Sequence, residues 1–183
     1  MQKEANPKTL IERGRAFGAV GDFTRAEEYF ASALDQGADA REVLPLLMDV
    51  CIKTGRFRSA IQYGEDHIRK HPNDHQTRVM VGALYAGLNE GPQATVQLEP
   101  VAKEPDAKPA LRAQAHYLLA VVARDDLRDV VATDAHFREY LRLDPNGPHV
   151  EEAKAALLVR VIAEPEGTDA GTMPRKIEPP DGG

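Results

Sequence analysis

The sequence predicts an all-α solenoid of antiparallel helix pairs, and three observations carry that expectation. The first is a repeat. Gly21, Phe23, Ala26 and Tyr29 return in the same order as Gly55, Phe57, Ala60 and Tyr63, each pair 34 residues apart, and a fixed period of that size is the mark of stacked helical units. The second is that apolar residues between the breaks fall at helical spacing. The third is the regular punctuation by Gly, Asn and Pro-Asn-Asp clusters. A chain of 183 residues that is 42% hydrophobic suits one short solenoid with tails.

Residues 1–6 read as a polar lead. Asn6-Pro7 is a helix start, with Asn as cap and Pro at the first helical place. The helix reaches about residue 20 with Leu10, Gly14, Ala16 and Phe17 on its inner side. Gly21-Asp22 breaks it, and a second helix over about 23–36 carries Phe23, Ala26, Phe30, Ala33 and Leu34 until Gly37 ends it. The next pair is expected over 42–53, with Leu44, Leu47, Met48 and Cys51 inward and Pro45 in or near the first turn. Its partner over 57–70 carries Phe57, Ala60, Ile61, Gly64 and Ile68 and stops at His71-Pro72-Asn73-Asp74. A third pair follows over 75–88 (Val79, Val81, Gly82, Tyr85, Leu88) and a short 92–102, with Asn89 standing where Gly21 and Gly55 stood. The period then slips. Pro145 follows Pro72 by 73 residues, five more than two periods, and the polar loop 103–109 is expected to hold the extra residues. The fourth pair is 110–124 and 129–143. Gly147-Pro148 opens a last amphipathic helix to about residue 163, with Ala153, Ala156, Leu157, Val159 and Val161, to cap the stacking face. The units are thus 7–40, 41–74, 75–113 and 114–147, with a cap over 148–163. Residues 164–183, rich in Pro and Gly, are expected to be disordered, and Met173–Pro180 to be an extended linker.

Composition limits the function. The net charge of −6 argues against a nucleic-acid binder, which needs a basic face. The single cysteine, Cys51, allows neither an internal disulfide nor a cysteine-based zinc site. No apolar run is long enough to span a membrane. The N-terminus is polar and is no signal peptide, which leads to the expectation of a cytoplasmic chain; a periplasmic or lipid-anchored one fits if a signal has been trimmed away. Glycine-rich phosphate loops, HExxH and GxSxG are missing, so no enzyme and no cofactor is expected. His67, His71 and His75 recur at spacings of four. His67 and His71 on one helix are the weak candidate metal pair, while Pro72 keeps His75 off that helix. Eight aromatics (Phe17, Phe23, Phe30, Phe57, Tyr85, Tyr117, Phe137, Tyr140) fall at packing places and are read as core.

With these spacings the chain resembles the tetratricopeptide repeat, a helix-turn-helix unit of the same period. Counting units from Pro7, Arg41, His75 and Gln114, the usually small place of the first helix is Gly14, Met48, Gly82 and Val121, and its aromatic place is Phe17, Cys51, Tyr85 and Arg124. The alanine place of the second helix is Ala26, Ala60, Ala94 and Thr133, its bulky place Phe30, Gly64, Leu98 and Phe137, and the closing proline place Ala38, Pro72, Asp106 and Pro145. The match covers about residues 7–147. It implies a right-handed superhelix of about four repeats, acting as a protein-interaction scaffold that holds a peptide or helix in its concave groove. Carried over by place, the groove would be lined by Lys8, Ile11 and Arg15, then Asp49, Ile52 and Lys53, then Val79, Ala83 and Ala86, then Leu118, Val122, Asp125 and Asp126. That set is basic at one end, small and apolar in the middle and far wall, and acidic at the other end, so Val79→Glu or Leu118→Glu is expected to abolish binding. A clamp for chaperone tails is not expected: Lys8 matches it, but Arg15, Glu42 and Leu46 depart from it. The style of the sequence resembles bacterial repeat proteins, some of them envelope factors for pili, secretion, motility or outer-membrane assembly. The alternative from a different class is a self-associating structural protein, a homo-oligomer.

Overall fold

The computed structural model describes residues 6–163; the expectations for residues 1–5 and for the tail 164–183 lie outside it. Among the described residues there are nine α-helices and no strand: α1 Pro7–Ala19, α2 Phe23–Asp35, α3 Ala40–Lys53, α4 Phe57–Lys70, α5 His75–Gly87, α6 Gly91–Lys103, α7 Pro109–Val122, α8 Val130–Leu143 and α9 Val150–Ala163. Each packs against the next in sequence, and α5 also packs against α7. The result is a helical-repeat solenoid closed by α9.

The helix starts follow from side chains that satisfy free backbone N–H groups. Asn6 accepts from the Lys8 N–H, Asp22 from Arg25, Asp39 from Arg41, Asp74 from Thr77 and Asp129 from Ala132. Pro7 and Pro109 occupy the first turns of α1 and α7. Pro45 and Pro100 lie inside α3 and α6. Pro45 sits two residues deeper than expected, because α3 begins at Ala40 rather than near 42.

One turn is built repeatedly. Gly21, Gly55 and Asn89 all have positive φ (81°, 74° and 57°). In each case the next residue's N–H reaches back five residues, Asp22 to Phe17, Arg56 to Cys51 and Glu90 to Tyr85. The left-handed residue itself bonds three residues back, to Gly18, Ile52 and Ala86. This pairing satisfies the last carbonyls of a helix and redirects the chain. Gly37 repeats it at the end of α2.

The fourth unit departs from the expectation. The loop between α6 and α7, residues 104–108, is scarcely longer than the four-residue loops 36–39 and 71–74. The five extra residues lie instead in the first helix, which starts at Pro109 and runs on through a π-helical segment, Ala123–Leu127. Arg128, with φ 57°, takes the place of Gly21, Gly55 and Asn89, and Asp129 N–H bonds the Ala123 carbonyl six residues back. A buried Ala107 and the Pro109 start pin the beginning of α7, so the surplus is absorbed at its end.

Four apolar clusters run along the solenoid. Phe30, Leu47, Met48, Leu98, Phe137 and Tyr140 are fully buried, and small residues face them. A Cβ on Gly14 would stand 2.5 Å from the Phe30 ring, and one on Gly82 2.5 Å from Leu98. Close helix approach at glycine is therefore built into the first and third units. In the fourth, the buried small residues against Phe137 are Ala113 and Ala120, not Val121, which is half-buried. Phe57 leaves the expected core and is 39% exposed.

Candidate functional site

The expected groove is open at one end and filled at the other. Between α1 and α3 lies a depression of about 260 Å3. Gly14, Gly18 and Ala19 form its α1 wall, Leu46 and Val50 its α3 wall, and Phe23 and Phe30 of α2 its floor. Gly14 packs against the buried Phe30 ring, and of the two rings only Phe23 is partly exposed. Arg15, Asp49 and Lys53 line the rim. Arg15 pairs with Glu42 across the α1–α3 gap at 3.4 Å, and Lys53 pairs with Asp49 at 2.7 Å. All four side chains are about half exposed, so these pairs are screened and exchangeable. Lys8 is exposed at the open end of α1.

Toward the far wall the expectation fails at three residues. Ile11, Val79 and Val122 are 6%, 1% and 1% exposed and belong to the core. Val79 and Val122 share one cluster with Ala115, Leu98 and Leu119. α7 packs directly on α5, and its Ala115, Leu119 and Val122 close over Val79. Ile11 is drawn into the α1–α2–α3 core beside Leu10 and Val43. Ile52, Ala83, Ala86 and Leu118 remain half-buried, with Ala86 and Leu118 lying against the closed cluster.

The acidic end also differs. The Arg124 guanidinium holds both oxygens of Asp125, at 2.8 and 3.0 Å, and reaches Glu152 of α9 at 3.0 Å. Asp125 is held below the usual carboxylate range by that guanidinium, so its charge is compensated. Asp126 turns inward under the π segment, close to the Cα of Gly91, and its Oδ2 is buried without a hydrogen bond. Neither carboxylate offers a free charge to the groove.

The histidine pair at the end of α4 is resolved into separate roles. The His67 and His71 rings are 4.6 Å apart, but His67 Nε2 donates to Asp74 Oδ2 at 2.9 Å. Asp74 also accepts from the Thr77 N–H and hydroxyl. Burial alone would raise the Asp74 pKa, but these hydrogen bonds outweigh it and keep the carboxyl ionised below its ordinary range. No group of three or more His, Cys, Asp or Glu residues among the described residues could hold a metal ion. His67 acts as a tie between α4 and the start of α5. Cys51 is fully buried; burial, then Glu27, pushes its thiol up to about 11, which makes it an inert packing residue.

Residues 11–75, most of the first two helix pairs, match the family model described as tetratricopeptide repeat. Over those residues the chain resembles tetratricopeptide repeats. Two solved structures share the fold. One is YrrB, described as a TPR protein with an unusual peptide-binding site. It is 19% identical, with a TM-score of 0.66 over 84% of this chain and 76% of that one. The other is a tetratricopeptide repeat protein from Parabacteroides merdae ATCC 43184, 18% identical, with a TM-score of 0.67 over 82% of this chain and 58% of that one. No curated protein matches the sequence. Beyond residue 75 the helix-pair period is broken by the π-helical segment Ala123–Leu127 that follows α7. The slip between Pro72 and Pro145 was its one sequence signal. Nothing in the sequence marked Leu46, Val50 and Phe23 as lining residues, because they fall at places that a regular repeat spends on packing.

Proposed function

We propose that the protein is a scaffold that binds one polypeptide segment in the open α1–α3 part of its groove, with an apolar side chain of the partner seated over the half-buried Phe23 and Leu46. The tetratricopeptide fold implies protein–protein interaction as its work. The observation that carries the finer reading is the depression between α1 and α3, apolar at its base and rimmed by exchangeable ion pairs. An apolar floor supplies affinity, and Arg15, Glu42, Asp49 and Lys53 can re-pair with backbone or charged groups of a peptide to fix its direction. The peptide-binding site of the similarly folded YrrB supports peptide capture as a use of this architecture.

A library of random peptides displayed on phage and selected on the protein tests this. Selected peptides are expected to lose roughly tenfold or more in affinity for Ala19→Trp, which fills the depression from an exposed position, and nothing for Glu28→Lys on the outer side of α2. Peptides that bind the Ala19→Trp protein as tightly as the parent would place the site elsewhere. Sedimentation over a concentration series separates this reading from self-association, which requires a dimer or larger species.

A further inference from the structure

Two histidines meet across the fourth helix pair. His116 of α7 and His136 of α8 point Nδ1 at Nδ1, 3.0 Å apart, with their ring centroids 5.3 Å apart. Both side chains are half-buried. His116 follows the buried Ala113 by three residues and His136 precedes the buried Phe137, so each ring stands beside the apolar contact that joins α7 to α8.

The protons on this pair are constrained. The His116 ring is also hydrogen-bonded to the backbone of Ala102 in α6, in the sense that favours its protonated form, which is a ring N–H donating to the carbonyl. Its Nδ1 is turned to His136, so the donor to Ala102 is Nε2. His116 Nδ1 is then a bare lone pair, and the proton between the rings sits on His136 Nδ1. Burial, the largest cause, holds both rings below the ordinary histidine value, so near neutral pH two uncharged imidazoles face each other. The charges around them balance. Glu99, Asp129 and Glu139 stand against Lys103, Arg112 and Arg142, with Lys103 held by Glu99 and Arg142 by Glu139. The inference therefore rests on the two nitrogens and not on the surrounding field.

We propose that this pair is a binding site for one divalent first-row transition ion, held by His116 Nδ1 and His136 Nδ1. Imidazole nitrogen suits Zn2+, Cu2+ and Ni2+, whereas Mg2+ and Ca2+ take oxygen ligands. Zn–N bonds of about 2.0–2.1 Å place two nitrogens on a tetrahedral ion about 3.3 Å apart. The rings already stand at 3.0 Å, so they need to part only slightly. His136 moves its ring proton from Nδ1 to Nε2, both lone pairs then converge on the ion, and no proton is lost. The Ala102 carbonyl fixes the tautomer and orientation of His116, as the outer partner of a metal-bound histidine does. Two protein ligands leave the other coordination positions to water. The ion would clip α7 to α8 in the unit whose period is broken. His67 and His71 lack this arrangement, because His67 Nε2 is engaged with Asp74.

The test uses the full chain labelled with 15N, with Zn2+ as the probe and Mg2+ as the comparison. Zn2+ is expected to move the ring nitrogen signals of His116 and His136, saturating at one ion per chain, and to leave those of His67 and His71 in place. The melting temperature is expected to rise with Zn2+ and not with Mg2+. His136→Asn is expected to bind Zn2+ roughly tenfold or more weakly. His71→Asn, at an exposed position, binds it as tightly as the parent. The ring signals belong to the parent chain, so they decide the matter even where a variant fails to fold. Unmoved His116 and His136 rings at millimolar Zn2+ overturn the proposal and leave a plain hydrogen-bonded pair. Movement at His67 and His71 instead, equal affinity in His136→Asn, or the same shifts from Mg2+ overturn it as well.

Discussion

Gly64 and the His116–His136 pair show two ways in which single residues set the strength of this fold. A Cβ on Gly64 would lie 2.3 Å from Val81 Cγ2 and 3.4 Å from Met48 Cε. Gly64→Ala gains up to about 1 kcal/mol in helix propensity but must displace a stiff β-branched side chain, at a cost of roughly 1–3 kcal/mol. The expected outcome is a net loss of about 1 kcal/mol in urea unfolding; a gain would mean that α4 and α5 separate easily. His116 Nδ1 and His136 Nδ1 are 3.0 Å apart between α7 and α8, so one neutral ring donates to the other. Burial holds both below the ordinary histidine value, helped for His116 by His136 itself. Around them stand Glu99 and Lys103 of α6, Arg112 of α7, Asp129 at the cap of α8 and Glu139 within it. Because the folded values are depressed, this contribution is complete above the unfolded value of about 6.5 and is lost as pH falls through the folded values. The melting temperature is therefore expected to drop on going from about pH 7 to about pH 5. The drop should be smaller in His136→Asn, and an equal drop in that variant would remove the pair as its source.

At the scale of the element, the recurring left-handed turn is the device that turns helices into pairs. Gly21 and Gly55 would meet nothing within 4 Å if they carried a Cβ. Their role is purely conformational, and Gly55→Ala is expected to lose about 1 kcal/mol through backbone strain alone. Arg128 holds the same conformation without being glycine. Arg128→Gly relieves about 1–2 kcal/mol of strain, against roughly 0.5–1 kcal/mol of added freedom in the unfolded chain, so a gain near 0.5 kcal/mol is expected. Chemical denaturation of both variants checks the opposite signs. The π segment has a larger consequence than its own stability. It turns Asp126 against Gly91, where the Asp126 Oδ2 is buried without a hydrogen bond.

For the whole molecule, stability passes from unit to unit through polar ties as well as cores. Glu27 of α2 meets Arg56 and the Tyr63 hydroxyl, Glu65 of α4 accepts from Tyr85, Arg58 pairs with Glu90, and Glu152 of α9 accepts from Tyr117 and Arg124. The last unit depends on α9. Ala153 is fully buried in a cluster with Phe137 and Tyr140, and the His149 ring stacks on Tyr117 at 3.8 Å. Ala153→Glu forces a charge into that contact and is expected to cost about 3 kcal/mol or more. It should also produce dimers or larger species in sedimentation, because the stacking face behind α9 is uncovered. A monomeric variant of unchanged stability would show that the cap is dispensable.

The linear pattern alone determined the helices, their pairing and their turns. The starts and ends depend on interactions within a few residues, Asn6, Asp22 and Asp74 at helix starts and Gly21, Gly55 and Asn89 at ends, while the pairing rests on small residues such as Gly14 and Gly82 facing bulky ones on the next helix. The slip of five residues was visible in the chain too, but its location was not. A loop, a longer helix and a π turn leave the same count, and only the packing of α7 on α5 chooses among them. For the same reason the groove was half legible. Its α1–α3 part follows from regular repeats, and Arg15, Asp49 and Lys53 stand at its rim as their places imply. Which of Val79, Val122, Asp125 and Asp126 face solvent depends on the angle between neighbouring units. That angle is a sum over contacts distant in sequence, so tertiary structure alone decided it.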